Sequence, residues 1–306
     1  MSVLIAGSLA LDNIETPDDR VEDAAGGSAS FALVAASFFG PVQLVGVVGD
    51  DFPQAHLDFF RSRGVDLQGL QRLPGPTFRW AGKYLPGLNE RVTLCTELNV
   101  SSQYQPKVPE SFRRPEAVFL ANDHPRLQRQ VLDQVEKTGL VICDTMNLWI
   151  NTAREELQAL LPRVDILMLN DEEARLLSGE VSLLKAGRKI LGAGPRAVII
   201  KKGEHGSFLV SADQIFLAPA YPLEQIKDPT GAGDTFAGAF AGSLAQEGGL
   251  RGTPFRWCPH LKRAMVRGTV LASFTVEEFS FDRLRRLSEK EIEERVQRLR
   301  EMVSFD

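Results

Sequence analysis

Cysteine is scarce in this chain: Cys95, Cys143 and Cys258 are the only three in 306 residues. They are odd in number, far apart and form no C-x-x-C. A disulfide framework and a zinc ribbon are therefore excluded, and a reducing cytoplasm fits best. Positive charge is not in excess either, since the net charge is −5. That argues against nucleic acid or an anionic membrane as the main partner, so an anionic ligand must be drawn by a local site. No apolar run reaches the length of a membrane span. The opening residues 1–7 lack a basic start and a cleavage site, and they read as a first strand rather than a leader. No G-x-x-x-x-G-K-S/T loop occurs. The densest glycine turn lies late in the chain, whereas a dinucleotide fingerprint belongs to an early strand–turn–helix unit. Low-complexity segments and internal repeats are missing as well.

What is present is alternation. Apolar runs of strand length lie at 3–7, 42–48, 117–121, 141–144, 166–170 and 197–201. Stretches of helical period lie at 28–38, 54–63, 125–137, 155–161, 172–177 and 183–191. This pattern predicts an α/β fold with a mostly parallel sheet covered on both faces. Two regions break it. Residues 9–23 are polar and follow the first strand without a helical period. Residues 78–99 carry Phe78, Trp80 and Tyr84, then Pro86-Gly87-Leu88-Asn89, then a second strand-like run, as a hairpin does. Together they suggest a small second sheet that acts as a water-excluding lid. Residues 288–303 predict a terminal amphipathic helix with a solvated charged face.

The densest chemistry is Asp228-Pro229-Thr230-Gly231-Ala232-Gly233-Asp234, followed at once by an apolar run. This reads as a glycine turn opening a helix, whose unpaired N–H groups and partial positive charge favour an anion. Thr230 is the expected N-cap. Asp234, one turn in, would repel a phosphate. Its place makes sense if it takes the proton of a hydroxyl as phosphate arrives. An ordinary Asp pKa of about 4 would leave it ionised at neutral pH.

Three further segments carry polar residues at strand ends. Gly26-Gly27 precede an apolar helical run and would let backbone approach a ligand, though a plain loop–helix junction uses the same residues. Asp50 and Asp51, with Gly64-Val65-Asp66 downstream, read first as helix caps. Asn170-Asp171-Glu172-Glu173 end an apolar strand, where carboxylates and an amide suit a water-bridged Mg²⁺. The same residues could also form a capping run.

In this order, and with Gly7, Asp12 and Lys202-Gly203-Glu204-His205-Gly206, these segments resemble the ribokinase-like (PfkB) family of carbohydrate and nucleoside kinases. The resemblance covers nearly the whole chain. The late D-P-T-G-A-G-D stretch is its specific element. It implies a single kinase domain over 1–306, with a three-layer α/β/α fold, a parallel sheet of about eight strands and a small β lid. It implies ATP-dependent phosphorylation of a hydroxyl, usually a primary alcohol of a sugar or nucleoside. By that resemblance Asp234 is the general base, and the Gly231, Ala232 and Gly233 amides form the anion hole. Asp12, Gly26 and Gly27 hold substrate hydroxyls. Asn170 and Glu173 organise Mg²⁺. Lys202, Gly203, Gly206 and Thr230 line the nucleotide site. Asp228, with Thr230, belongs to a loop that in some members binds a monovalent cation such as K⁺. A homodimer through the lid and a cytoplasmic location follow from the same likeness.

Departures from the family pattern concern the substrate. Phe31 stands where most members have an Asn that touches the acceptor, and an aromatic cannot replace an amide. Asp144-Thr145-Met146-Asn147 only partly match the D-P-N-x-R of sugar-acid and fructose kinases, and the arginine is missing, so a neutral acceptor is favoured. The Thr275–Phe279 stretch lacks the glycine usual near the cation loop. A sugar kinase is the first expectation and a nucleoside kinase the second. A vitamin kinase, and a regulatory protein that binds nucleotide or sugar without turnover, are the remaining readings.

Overall fold

The computed structural model describes residues 2–136, 138–248 and 259–304. Lys137 and Cys258 lie outside them. Thirteen strands are found among the described residues: β1 (Val3–Ala6), β2 (Ala10–Glu15), β3 (Arg20–Gly26), β4 (Val42–Val48), β5 (Val65–Arg72), β6 (Phe78–Tyr84), β7 (Arg91–Glu97), β8 (Ala117–Leu120), β9 (Val141–Asp144), β10 (Ile166–Asn170), β11 (Ala197–Lys201), β12 (Ser207–Ser211) and β13 (Ile215–Ala218). The helices are α1 (Ser28–Ala36), α2 (Gln54–Ser62), α3 (Pro125–Gln134), α4 (Asn147–Thr152), α5 (Arg154–Leu160), α6 (Asp171–Ser178), α7 (Leu183–Leu191), α8 (Ala232–Gln246), α9 (Pro259–Thr275), α10 (Asp282–Arg285) and α11 (Glu289–Val303).

A nine-stranded sheet has the order β13-β12-β11-β10-β9-β8-β1-β4-β5. From β5 to β11 neighbouring strands pair parallel, and β12 and β13 add an antiparallel edge. Strand residues alternate between two cores, as strand geometry requires. Val3 and Ile5 face α1, α2, α8, α9 and α11, whereas Leu4 and Ala6 face α3 to α7. This is the expected three-layer arrangement.

Two helix-seating features matter for the site. In α8, Gly238 and Gly242 lie against α1. A Cβ on Gly238 would meet the Ala32 carbonyl oxygen at 2.2 Å, and one on Gly242 the Ala36 Cα at 2.8 Å. Both helices are almost wholly buried. Their close approach fixes where the N-termini of α1 and α8 sit relative to the sheet edge.

The two irregular regions join as expected into one small sheet of order β3-β2-β6-β7. It is mixed: β2–β3 and β6–β7 pair antiparallel, and β2 pairs parallel with β6. β7 is its edge, and all seven of its residues are exposed. No helix among the described residues is long and apolar enough to cross a membrane.

Candidate active site

Three neighbouring parallel strands end on polar residues: Asp144 on β9, Asn170 on β10 and Lys201 on β11. The carboxyl ends of parallel strands are where ligands bind in open α/β folds. Lys201 Nζ reaches over β10 and donates to Asp144 Oδ2 at 2.6 Å, with both side chains largely buried. The same ammonium would lie 3.2 Å from a Cβ on Gly233, so it also touches the first turn of α8.

Gly231 is the N-cap of α8, with φ of 75°, a left-handed conformation that glycine adopts without strain. A Cβ there would stand 2.4 Å from the Phe31 ring. Thr230 is therefore not the cap. Its amide donates to Asp228 Oδ1 at 2.9 Å, and its hydroxyl donates to Tyr84 Oη at 3.1 Å. The chain must turn left-handed one residue later than Thr230, and only a glycine fits against Phe31. In the first turn the Ala232 amide donates to Pro229 O at 3.2 Å. The first-turn amides of a helix have no intrahelical acceptor, so the start of α8 is suited to an anion.

Asp234 faces the cleft and is half-buried. Burial foremost, then the nearby Asp144 carboxylate, pushes it up to about 7, while Lys201 and Arg91 pull it back. The expectation of an ordinary, fully ionised Asp at neutral pH is thus corrected. Its surroundings desolvate it, and general bases work best with a pKa near the working pH.

Asp12, on β2, is buried, and its Oδ1 has no partner. Burial raises it to about 7; the Gly27 amide opposes this, and Asp228 and Asp234 add to it. A Cβ on Gly26 would lie 1.8 Å from Asp12 Oδ2, and one on Gly27 would lie 2.5 Å from Ser8 O. The paired glycines are thus required by close packing beside Asp12. From Gly27 the wall continues through Ser8 and Ser28, whose hydroxyls donate to Asn122 O. Trp149 Nε1 donates to Asn122 Oδ1 at 3.1 Å, and His124 lies against the Trp149 ring at 4.9 Å.

Asn170 and Glu173 form a capping box on α6: Glu173 N donates to Asn170 Oδ1 at 2.8 Å, and Asn170 N donates to Glu173 Oε2 at 2.7 Å. Burial, then Asp144, raises Glu173 to about 7. Lys202, Gly203 and Gly206 make a tight turn after β11. Lys202 N donates to Gly206 O at 2.7 Å, and both glycines have positive φ, 54° and 77°. Asp228 is fully buried with Oδ2 unpartnered, and the amides of Lys227 and Asp228 donate to Val276 O.

One further expectation is corrected. Asp50 and Asp51 cap no helix; they accept from Gly75 N and from Thr77 N and Oγ1, bracing the turn that leads into β6. Phe31, at the position where most members have the acceptor-touching Asn, is 1% exposed, packed under Gly231 and edge-on to Phe281 at 5.8 Å.

Sequence reasoning missed Lys201 and Arg91. Lys201 had a signal, a lone cation ending an otherwise apolar strand. Its partner, 57 positions earlier, had none. Arg91 sits on the lid, and its relation to the cleft arises only from folding.

A family model described as pfkB family carbohydrate kinase matches residues 6–282. The cytidine kinase of Thermococcus kodakarensis is 29% identical over 267 residues, covering 85% of this chain and 93% of its own length. The ribokinase of Bacillus subtilis is 25% identical over 264 residues, covering 80% and 86%. Among solved structures, a putative ribokinase II from E. coli in complex with ATP and Mg²⁺ superposes with a TM-score of 0.74 at 21% identity, over 97% of this chain and 99% of that one. The chain belongs to the pfkB family of carbohydrate kinases, phosphotransferases that act on hydroxyl groups.

Proposed function

We propose that the protein transfers the γ-phosphate of ATP to a primary hydroxyl of a sugar or sugar-like acceptor. The observation that carries this reading is Asp234 at the mouth of α8. Burial and the nearby Asp144 carboxylate push its carboxyl up to about 7, against the pull of Lys201, which also touches the first turn of α8. Phosphoryl transfer needs positioning, charge compensation and a proton acceptor, and these are the parts at hand. Asp234 would take the acceptor's proton, and the first-turn amides and Lys201 would meet the phosphate oxygens. Asp12 would receive acceptor hydroxyls through its unpartnered Oδ1. The turn at Lys202, Gly203 and Gly206, with Thr230, would line the nucleotide.

Mg²⁺ would neutralise the phosphates. Among the described residues no group of three His, Cys, Asp or Glu could hold a metal ion. Asn170 Oδ1 and Glu173 Oε2 each accept from the other's backbone amide, so their hold on Mg²⁺ would run through water. The buried, unpartnered Asp228 Oδ2 fits a monovalent cation, with Thr230 beside it. Turnover that is equal in potassium and choline salts would overturn that cation site.

The nucleoside reading is favoured by one observation. The Trp149–His124 pair extends the acceptor wall beyond Asn122 with ring faces suited to a base. A panel of pentoses, hexoses, polyols, sugar acids, nucleosides and pyridoxal, read as ADP release with ATP and Mg²⁺, decides between them. A response to nucleosides alone selects that reading. Silence across the panel with ATP binding intact selects a non-catalytic regulatory protein and sinks the kinase proposal.

A further inference from the structure

The turn that follows α9 touches the site at three points. Thr275 is fully buried, and its hydroxyl donates to Thr235 Oγ1 at 2.9 Å, one residue past Asp234 in α8. Val276 O accepts from the amides of Lys227 and Asp228 at 2.8 and 3.3 Å, where the anion loop begins. Ser280 Oγ donates to Ala25 O, beside the Gly26-Gly27 pair. Residues 275–280 therefore set the position of the loop ahead of α8 and of its first turn. The segment holds no glycine, yet Ser280 has a φ of 54°. A left-handed serine persists only where its surroundings over-determine it.

Two arginines from the C-terminal helices hold it. Glu277, in the middle of the turn, accepts from Arg295 Nη2 on Oε1 at 2.7 Å and from Arg283 Nε on Oε2 at 3.0 Å. Each carboxylate oxygen thus has its own guanidinium. Arg283 reaches on to Glu291 Oε1 at 2.7 Å, and Glu291 closes the capping box of α11 with Ser288. Arg295 also donates to Ser273 Oγ at 3.0 Å, and its guanidinium lies 3.4 Å from the Phe274 ring centroid and 4.8 Å from that of Tyr221, in the stretch that leads to the anion loop. The side chains of Glu277, Arg283 and Arg295 are only 24%, 19% and 16% exposed, so the network is screened less than a surface pair. Seating α11 does not require it, because Ile292 and Leu299 already bury that helix in the large core.

We propose that Arg295 and Arg283 are positioning residues, which clamp Glu277 and so hold residues 275–280 against the anion loop and the first turn of α8. The inference rests on the kinase reading and adds to it. The arginines act at a distance from the reacting groups. Their effect runs through Val276 O and Thr275 Oγ1, which fix where the 231–233 amides and Asp234 stand. Two planar forks on one carboxylate fix its direction as well as its place. A misplacement of about 1 Å in such a site can cost about 10²-fold in rate. The amides meet charge that develops in the transition state, so the loss falls on kcat more than on ATP affinity.

The test compares Arg295→Gln, Glu277→Gln and the double variant with Leu299→Ala, using the best acceptor of the panel. Leu299 lies on the same helix and is buried in the large core, so its truncation loosens α11 without removing a charge. Rates are taken well below each melting temperature, and ATP·Mg²⁺ dissociation constants are measured by calorimetry. Arg295→Gln and Glu277→Gln should each lower kcat about 10–10²-fold, with ATP affinity changed by less than about threefold. The double variant should lose much less than the product of the two, because they share one contact. Arg295→Lys should recover part of the rate, and Leu299→Ala should melt lower while keeping its kcat. Unchanged kcat in Arg295→Gln overturns the proposal. So does an equal loss of kcat in Leu299→Ala, which would make Arg295 an ordinary support of the helix. Should Arg295→Gln fail to fold, Glu277→Gln decides by the same criterion. Wild-type protein that turns over no acceptor overturns the kinase reading itself, and the proposal with it.

Discussion

At Asp234 stability and chemistry pull in opposite directions. Burial raises its pKa to about 7, and Asp12 and Glu173 are raised to about 7 in the same way. The folded protein therefore binds protons that the unfolded chain, with carboxyls near about 4, releases. The stabilisation is full below about pH 4 and is lost as pH rises through about 7. Replacing Asp234 with Asn removes one of these charges. Differential scanning fluorimetry should show Asp234→Asn melting about 2–5 °C higher than wild type at pH 8, with little difference at pH 4.5. A variant that is less stable at pH 8 would show that the charge is compensated after all. The same pKa governs rate. A base must be ionised to accept, so kcat/KM should rise with pH and level off above an acid limb near about 7. A limb near 4 would mean that Asp234 keeps an ordinary pKa in the free enzyme. The reason sequence alone suggested an ordinary Asp is that the desolvation comes from the body packed around α8, and the repelling charge from Asp144, 90 positions away in the chain.

Among the elements, the strands buried on both faces were the most legible. β4, β9, β10 and β11 match the apolar runs, because a covered parallel sheet demands continuous hydrophobic residues. β5, β12 and β13 were not read. β5 mixes polar and apolar residues, and β12 and β13 form an antiparallel edge whose outer strand is largely open. α9 went unread because it is buried around most of its circumference and shows no single stripe. The loop ahead of α8 was legible as chemistry, but its cap was not. Thr has the better capping side chain, and only the Phe31 ring makes glycine obligatory at the next position. Gly231→Ala should therefore cost about 1–3 kcal/mol by chemical denaturation, from the left-handed φ and the 2.4 Å approach to Phe31 together, and should abolish most turnover. A variant with wild-type stability and rate would remove the argument that α1 seats the anion loop.

For the molecule as a whole, the small sheet borders the proposed site: Thr230, in the loop ahead of α8, donates to Tyr84 on β6. The same sheet carries Asp12 on β2, so under the proposed function the acceptor would be held by the small sheet rather than by the large one. The edge strand β7 also exposes Val92 (47%) and Leu94 (59%), a flat apolar edge of the kind that pairs with a second copy. A homodimer through this edge is the proposal that fits. Sedimentation should show a dimer that Leu94→Lys converts to monomer, and a wild-type monomer at tens of micromolar would rule it out. Against a net charge of −5, an anionic donor under the proposed function would be drawn locally, by the start of α8 and the Lys201 ammonium beside it. The central claim, that Asp234 is the proton acceptor of a phosphotransferase, is tested most directly by one comparison. Wild type and Asp234→Asn are assayed for ADP release with ATP, Mg²⁺ and the preferred acceptor, with ATP binding measured on the same preparations. The account predicts that turnover falls at least about 10²-fold while ATP affinity is retained. Near-wild-type turnover in Asp234→Asn would contradict it.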